Sequence, residues 1–139
     1  MRVAEAAGAQ GVLVAARRAA PLNVTVARAS AGALEHLPVV RPSNMTRALA
    51  TLKQKGFWVL GADSEHGEDL FGLSDRALSG KIVLVLGAEG KGLRVGIQKQ
   101  LDLHMRIPMA GEISSLNVST AAAVCLFELR RRALAAAKK

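Results

Sequence analysis

Apolar and polar positions alternate along this chain in two distinct rhythms. Short, mostly apolar runs occur at Gly11-Val12-Leu13-Val14-Ala15, Leu37-Pro38-Val39-Val40, Phe57-Trp58-Val59-Leu60-Gly61 and 81–87 (Lys-Ile-Val-Leu-Val-Leu-Gly), and Leu103 to Ile107 reads as a fifth strand. Runs that are apolar at every position suit strands covered on both faces. Between them lie stretches with a helical period. Over 44–55, Met45, Ala48, Leu49 and Leu52 share one face, Ser43 or Asn44 is placed to cap the start, and Gly56 to end the helix. From Asn117 into the tail, Val118, Ala122, Cys125 and Leu129 form a second stripe. Arg2 to Ala7 reads as a short helix stopped by Gly8. The alternation predicts an α/β fold, with a parallel sheet flanked by helices. A strand is expected before the first helix, and the chain begins without one.

A chain of 139 residues suits a single domain, 1–139, with a core built without disulfides or metals. With one Trp, three Phe and no Tyr, that core must rest on Val, Leu, Ile and Ala. The formal net charge of +8 draws polyanions, so nucleic acid or an anionic membrane fits as a partner. No apolar run approaches the ~20 residues of a membrane span. The first residues do not resemble a signal peptide. The lone Cys125 rules out an internal disulfide and fits a reducing compartment. The triple Arg130-Arg131-Arg132 and the closing lysines read as charge favoured at a helix C-terminus.

Two segments carry candidate chemistry. Leu86-Gly87-Ala88-Glu89-Gly90-Lys91-Gly92-Leu93-Arg94 follows the most apolar strand. Ligands of open α/β sheets bind beyond such strand ends, and glycines let a backbone approach a ligand. The segment fits neither a Walker A loop nor G-x-G-x-x-G. The second, Ile107-Pro108-Met109-Ala110-Gly111-Glu112-Ile113-Ser114-Ser115-Leu116-Asn117-Val118-Ser119, runs from a strand end through small and polar residues into a helix. Its free N–H and C=O groups suit reading an adenine edge, while Ser115, Asn117 and Ser119 are equally ordinary caps. The acidic stretch 63–69 has no metal-ligand spacing and reads as a solvated loop. His36 and His104 stand alone in the sequence, and no nucleophilic triad is apparent.

Together, Leu-Gly-Ala-Glu-Gly-x-Gly-Leu-Arg and Ile-Pro-Met-x-Gly-x-x-x-Ser-Leu-Asn-Val-Ser, in this order and about fifteen residues apart, resemble two motifs of the SpoU/TrmH family of SPOUT methyltransferases. Ala6-Ala7-Gly8, Asn44 and Trp58-Val59-Leu60-Gly61-Ala62 look like counterparts in the branch that methylates a guanosine ribose of 23S rRNA. The resemblance implies a C-terminal deep trefoil knot. It implies S-adenosylmethionine as methyl donor, with no metal, an RNA substrate (rRNA before tRNA), a homodimer packed through the last helix, and a cytoplasmic location. It places Gly61, Ala62, Gly87, Ile107, Met109, Ser115 and Leu116 around the donor. Arg2, Glu89, Asn117 and Ser115 become the catalytic candidates, Arg2 by the likeness at the ribose and its phosphate, as a clamp or as a base; a bidentate grip on phosphate is the physically easier role for a guanidinium. The family's first motif has an Asn and a strand ahead of that Arg. Neither stands here, nor does the separate N-terminal RNA-binding domain of many relatives. The expectation is therefore an N-terminally shortened methyltransferase domain, the alternative being a knotted module that binds donor or RNA with little or no catalysis.

Overall fold

The computed structural model describes residues 1–15, 33–88 and 90–138. In chain order the elements are α1 (Arg2–Ala6), β1 (Val12–Leu13), α2 (Ala33–His36), β2 (Val39–Val40), α3 (Met45–Gln54), β3 (Trp58–Ala62), β4 (Glu68–Asp69), β5 (Ile82–Leu86), α4 (Val95–Gln98), β6 (Leu103–Arg106) and α5 (Val118–Ala136). The five expected strands and three expected helices are present. β1 and β2 form a parallel pair, Val12 opposite Val39. The other four strands form a sheet in the order β4-β6-β3-β5, with every pairing parallel.

Local chemistry explains the helix ends. Asn44 caps α3 by accepting from the Arg47 N–H at 3.0 Å. Gly56, at φ +83°, turns the chain out of the helix in a conformation L side chains rarely adopt. In β3, alternate side chains serve opposite faces. Leu60 joins Leu70, Leu73, Leu78, Met105 and Cys125 in the main core cluster, which brings α5 onto the sheet. Val59 and Leu49 of α3 are fully buried outside that cluster, and α3 packs on β3. The central strand is thus covered on both sides, as its unbroken apolar run requires.

Three expectations need correction. The stretch 63–69 is not wholly loop, because Glu68 and Asp69 form the edge strand β4 on β6, opposite Met105 and Arg106. Arg132 is not a solvated helix-end charge. It is 8% exposed, and its guanidinium donates to Glu128 Oε1 at 2.7 Å and to the carbonyls of Leu70, Phe71 and Leu73. His104 does not stand alone, since its Nδ1 lies 3.4 Å from Asp63 Oδ2. No helix among the described residues is long and apolar enough to cross a membrane.

Candidate active site

Strand register brings the candidate residues to one edge of the sheet. Ala62, the last residue of β3, is level with Leu86 of β5 on one side and Met105 of β6 on the other. Gly61 and Ala62, Gly87 just past β5, and Ile107 just past β6 therefore leave the sheet together. β5 and β6 flank β3 on opposite sides, so the chain crosses over β3 between them. The carboxyl ends of strands at such a crossing are where open α/β sheets form ligand crevices.

The glycine segment is closed on itself. Ala88 and Gly92 pair across the turn, and the Gly92 N–H donates to the Ala88 carbonyl at 3.1 Å. Gly92 holds φ +59°. A Cβ on Gly87 would lie 2.6 Å from the Gly92 carbonyl carbon, so only glycine lets the two strands of this loop touch. Leu93 then points back, its Cδ1 only 3.0 Å from where a Gly61 Cβ would be. Glu89 falls outside the described residues.

The segment 107–116 has a different character. No backbone hydrogen bond joins any of its residues to another described backbone group. Ile107 packs against the core cluster, and Leu116 is half-buried. Met109 is 37% exposed, and Ser115 is exposed. A rooted loop with its amides and carbonyls open is fitted to read a flat heterocycle by its edge. That donor set, all uncharged N–H and C=O groups with half-buried apolar neighbours, fits an adenosine-bearing donor.

The catalytic candidates are placed unevenly. Asn117 is the N-cap of α5, its Oδ1 accepting from the Thr120 N–H at 2.8 Å. The capping role is therefore real, and only its side-chain NH₂ stays free to meet a ligand. Ser115 stands two residues before it. Arg2 opens α1, exposed, and α1 lies against α5. Asn117 and Ser115 thus sit where the 107–116 loop enters α5, and Arg2 lies on α1, which packs against the same helix.

Sequence reasoning missed three supporting features. Leu101 lies over Gly61, its Cδ1 2.3 Å from a hypothetical Cβ there. Asp102 extends the β6–β3 ladder with its side chain. Its Oδ2 accepts from the Val59 N–H at 2.9 Å, its own N–H donates to the Val59 carbonyl at 2.8 Å, and Oδ1 meets Lys53 Nζ at 2.9 Å. Asp63, directly after Ala62, accepts from the Glu65 and His66 N–H groups at 2.9 and 3.2 Å. Burial raises its pKa, but those two N–H donors and the His104 ring outweigh burial and hold the carboxyl below its usual range. A lone Asp beside a strand end was the only available signal, and the surrounding acidic residues hid it.

Comparisons with known proteins show the family. The model of the SpoU rRNA Methylase family matches residues 1–127. The 23S rRNA (guanosine-2'-O-)-methyltransferase RlmB of Pseudomonas aeruginosa is 46% identical over 132 residues, 95% of this chain and 52% of that protein. A putative TrmH family tRNA/rRNA methyltransferase of Bacillus subtilis is 42% identical over 134 residues, 95% of this chain and 52% of that protein. Among solved structures, the SpoU methyltransferase AviRb from Streptomyces viridochromogenes, in complex with AdoMet, superposes with a TM-score of 0.85 at 31% identity, covering 96% of this chain and 54% of that one. The chain spans about half the length of the curated relatives it matches. With the family model covering nearly the whole chain and the sheet superposing on family members, this chain belongs to the SpoU rRNA methylase family.

Proposed function

We propose that this chain carries the donor-binding and methyl-transfer site of an RNA ribose 2'-O-methyltransferase acting on a guanosine of 23S rRNA in the cytoplasm. The observation that carries the reading is the meeting of three strand ends beside a backbone loop, 107–116, with open polar groups. The relative of known name in Pseudomonas aeruginosa supplies the substrate, and AviRb, solved with AdoMet, the donor.

S-adenosylmethionine supplies an electrophilic methyl on sulfur. The ribose 2'-oxygen bonds to that methyl carbon as the C–S bond breaks, and the hydroxyl proton passes to a base. Gly61, Ala62, Gly87, Ile107, Met109, Ser115 and Leu116 surround the donor and fix its methyl toward the oxygen, since in-line placement supplies much of the rate. Asn117, through its free NH₂, and Ser115 orient the reacting groups, a role that the motif likeness extends to Glu89. Arg2 grips a substrate phosphate, and Lys91, Arg94 and Arg106, all exposed, extend the RNA-facing surface. The C-terminal half is threaded as the family's trefoil knot. Two copies pair through α5, whose Val118, Phe127 and Leu134 are 43%, 50% and 49% exposed and whose Ala121-Ala122-Ala123 presents a narrow surface.

Calorimetry with S-adenosylmethionine tests the first half of this reading. Binding of about one molecule per protomer at micromolar Kd is expected. Transfer of labelled methyl to ribosomal RNA, mapped by nuclease resistance at the 2'-O-methyl position, tests the second. No heat at millimolar donor refutes the donor site, and label appearing on a base rather than a ribose refutes the reaction.

A further inference from the structure

A surface depression lies at the opposite end of the sheet, at the amino ends of β3 and β5. It is lined by Trp58, Ser74, Arg76, Ser79 and Lys81, with Gly56 and Gly80 at its rim. Trp58 opens β3, and its N–H donates to the Lys81 carbonyl at 2.7 Å, which ties the two walls together. Its ring belongs to a residue 43% exposed, although it is the chain's single tryptophan in a core short of aromatics. The opposite wall is a built turn. Ser74 caps it through the Ala77 N–H, Ser79 Oγ donates to the Arg76 carbonyl at 3.1 Å, and Leu73 and Leu78 are buried beneath it. Lys81 Nζ stands 5.7 Å from the Phe57 ring centroid. Arg76 is exposed and makes no ion pair among the described residues, and its acidic neighbour Asp75 is engaged by Arg132.

An indole face, an unpaired guanidinium, an ammonium and two hydroxyls in one open depression match the parts of a single-stranded nucleotide. The ring stacks a base of any identity, and the cations meet its phosphates. The net charge of +8 favours that ligand over a cation or an acidic-surface-free apolar peptide. A five-residue strand separates this depression from the donor end by roughly 15 Å, too far to hold the target nucleotide.

We propose that Trp58, Arg76 and Lys81 form a second RNA contact that stacks a nucleotide flanking the target and helps set which ribose reaches the donor. The proposal rests on the RNA-methyltransferase reading above. It adds a specificity site at the opposite end of the sheet from the transfer chemistry.

The single tryptophan makes the test direct. A labelled, mixed-sequence single-stranded oligoribonucleotide is titrated into the full chain while anisotropy reports binding and intrinsic fluorescence reports Trp58. Saturable quenching that tracks the anisotropy and fades with salt is expected. Trp58→Ala should weaken binding about ten-fold. Arg76→Ala with Lys81→Ala should weaken it and flatten its salt dependence. Because both cations are exposed, the double variant tests the site even if Trp58→Ala disturbs the fold, and Trp58→Phe, retaining a stacking ring, should recover most of the affinity. In every variant the calorimetric affinity for S-adenosylmethionine should stay unchanged. If RNA binds but Trp58 emission and the variants' affinities do not move, RNA docks elsewhere and the proposal falls while the broader reading stands. If emission shifts with protein concentration and not with RNA, a second copy covers this face and the proposal falls. If no RNA binds at all, proposal and substrate reading fall together, and the donor titration alone decides what remains.

Discussion

Arg132 and Glu128 lie one turn apart on α5, with Nε of the arginine 2.7 Å from Oε1 of the glutamate, and both side chains are at most 10% exposed. The same guanidinium reaches the carbonyls of Leu70, Phe71 and Leu73, so one side chain fastens the last helix to the segment that follows β4. Removing it leaves the carbonyls of Leu70, Phe71 and Leu73 without this donor and the Glu128 carboxylate with Arg131 as its partner. Arg132→Ala should cost about 2–3 kcal/mol, the penalty of stranding buried acceptors, read as a lower urea midpoint. Arg132→Lys should recover only part, because an ammonium lacks the planar fork that spans these acceptors. An Arg132→Ala protein as stable as the parent would show the fastening to be idle.

Glu128 makes that fastening pH-dependent. Its hydrogen bond with Arg131 and the pairing with Arg132 outweigh burial and hold its carboxyl at about 2, against an ordinary 4.5. A folded pKa below the unfolded one means stability that is fully present above about 4.5 and is lost as pH falls toward 2. Asp63, also held below its usual range, adds to the same acid limb. Urea melts across this window should steepen downward in the parent. In Glu128→Gln the slope should be shallower, at the cost of lower stability at neutral pH. Parallel slopes in the two proteins would remove Glu128 from the acid response.

β3 and β5 were legible in the sequence because they are apolar runs that leave no polar face, and β6 because Leu103, Met105 and Ile107 alternate with His104 and Arg106. The two loops were legible because glycines and small polar residues interrupt those runs directly at strand ends. Their convergence was not, since it depends on Ala62 sharing register with both Leu86 and Met105, a relation between residues far apart in the chain. β4 was hidden because a two-residue edge strand of Glu68 and Asp69 has no apolar signature, its pairing being supplied by β6. Arg132 looked like helix-end charge because nothing local distinguishes a solvated arginine from one whose acceptors lie some sixty residues earlier. Asn117 was read both as cap and as site residue, and the structure realises the cap.

Gly87 offers a probe of the proposed donor site that leaves the core alone. A methyl there would sit 2.6 Å from the Gly92 carbonyl carbon and 2.8 Å from its oxygen, both backbone atoms that cannot rotate away. Gly87→Ala must open the loop, and donor affinity should fall at least about ten-fold, or ~1.4 kcal/mol. Gly111→Ala is the matching control for packing, because a Cβ there meets nothing within 4 Å, and its melting temperature should equal the parent's. Unchanged donor affinity in Gly87→Ala would place the donor away from this loop.

The cap that Asn117 forms and the orienting role proposed for it separate by substitution. Its Oδ1 caps α5 by accepting from the Thr120 N–H, while its NH₂ faces no described partner. Asn117→Ala removes both and should cost about 0.5–2 kcal/mol through the lost cap, with lower methyl transfer. Asn117→Asp keeps an oxygen acceptor at the same place, and the helix dipole favours its charge, so its stability should match the parent's or exceed it. It has lost the donating NH₂, however, so if that group orients a reactant, methyl transfer by Asn117→Asp should drop about as far as in Asn117→Ala. Thermal unfolding and single-turnover methyl transfer on the same two variants decide the matter. Transfer that follows stability, restored in Asn117→Asp and lost in Asn117→Ala, would reduce Asn117 to a cap and leave the orienting work to Ser115 and the backbone of the 107–116 loop.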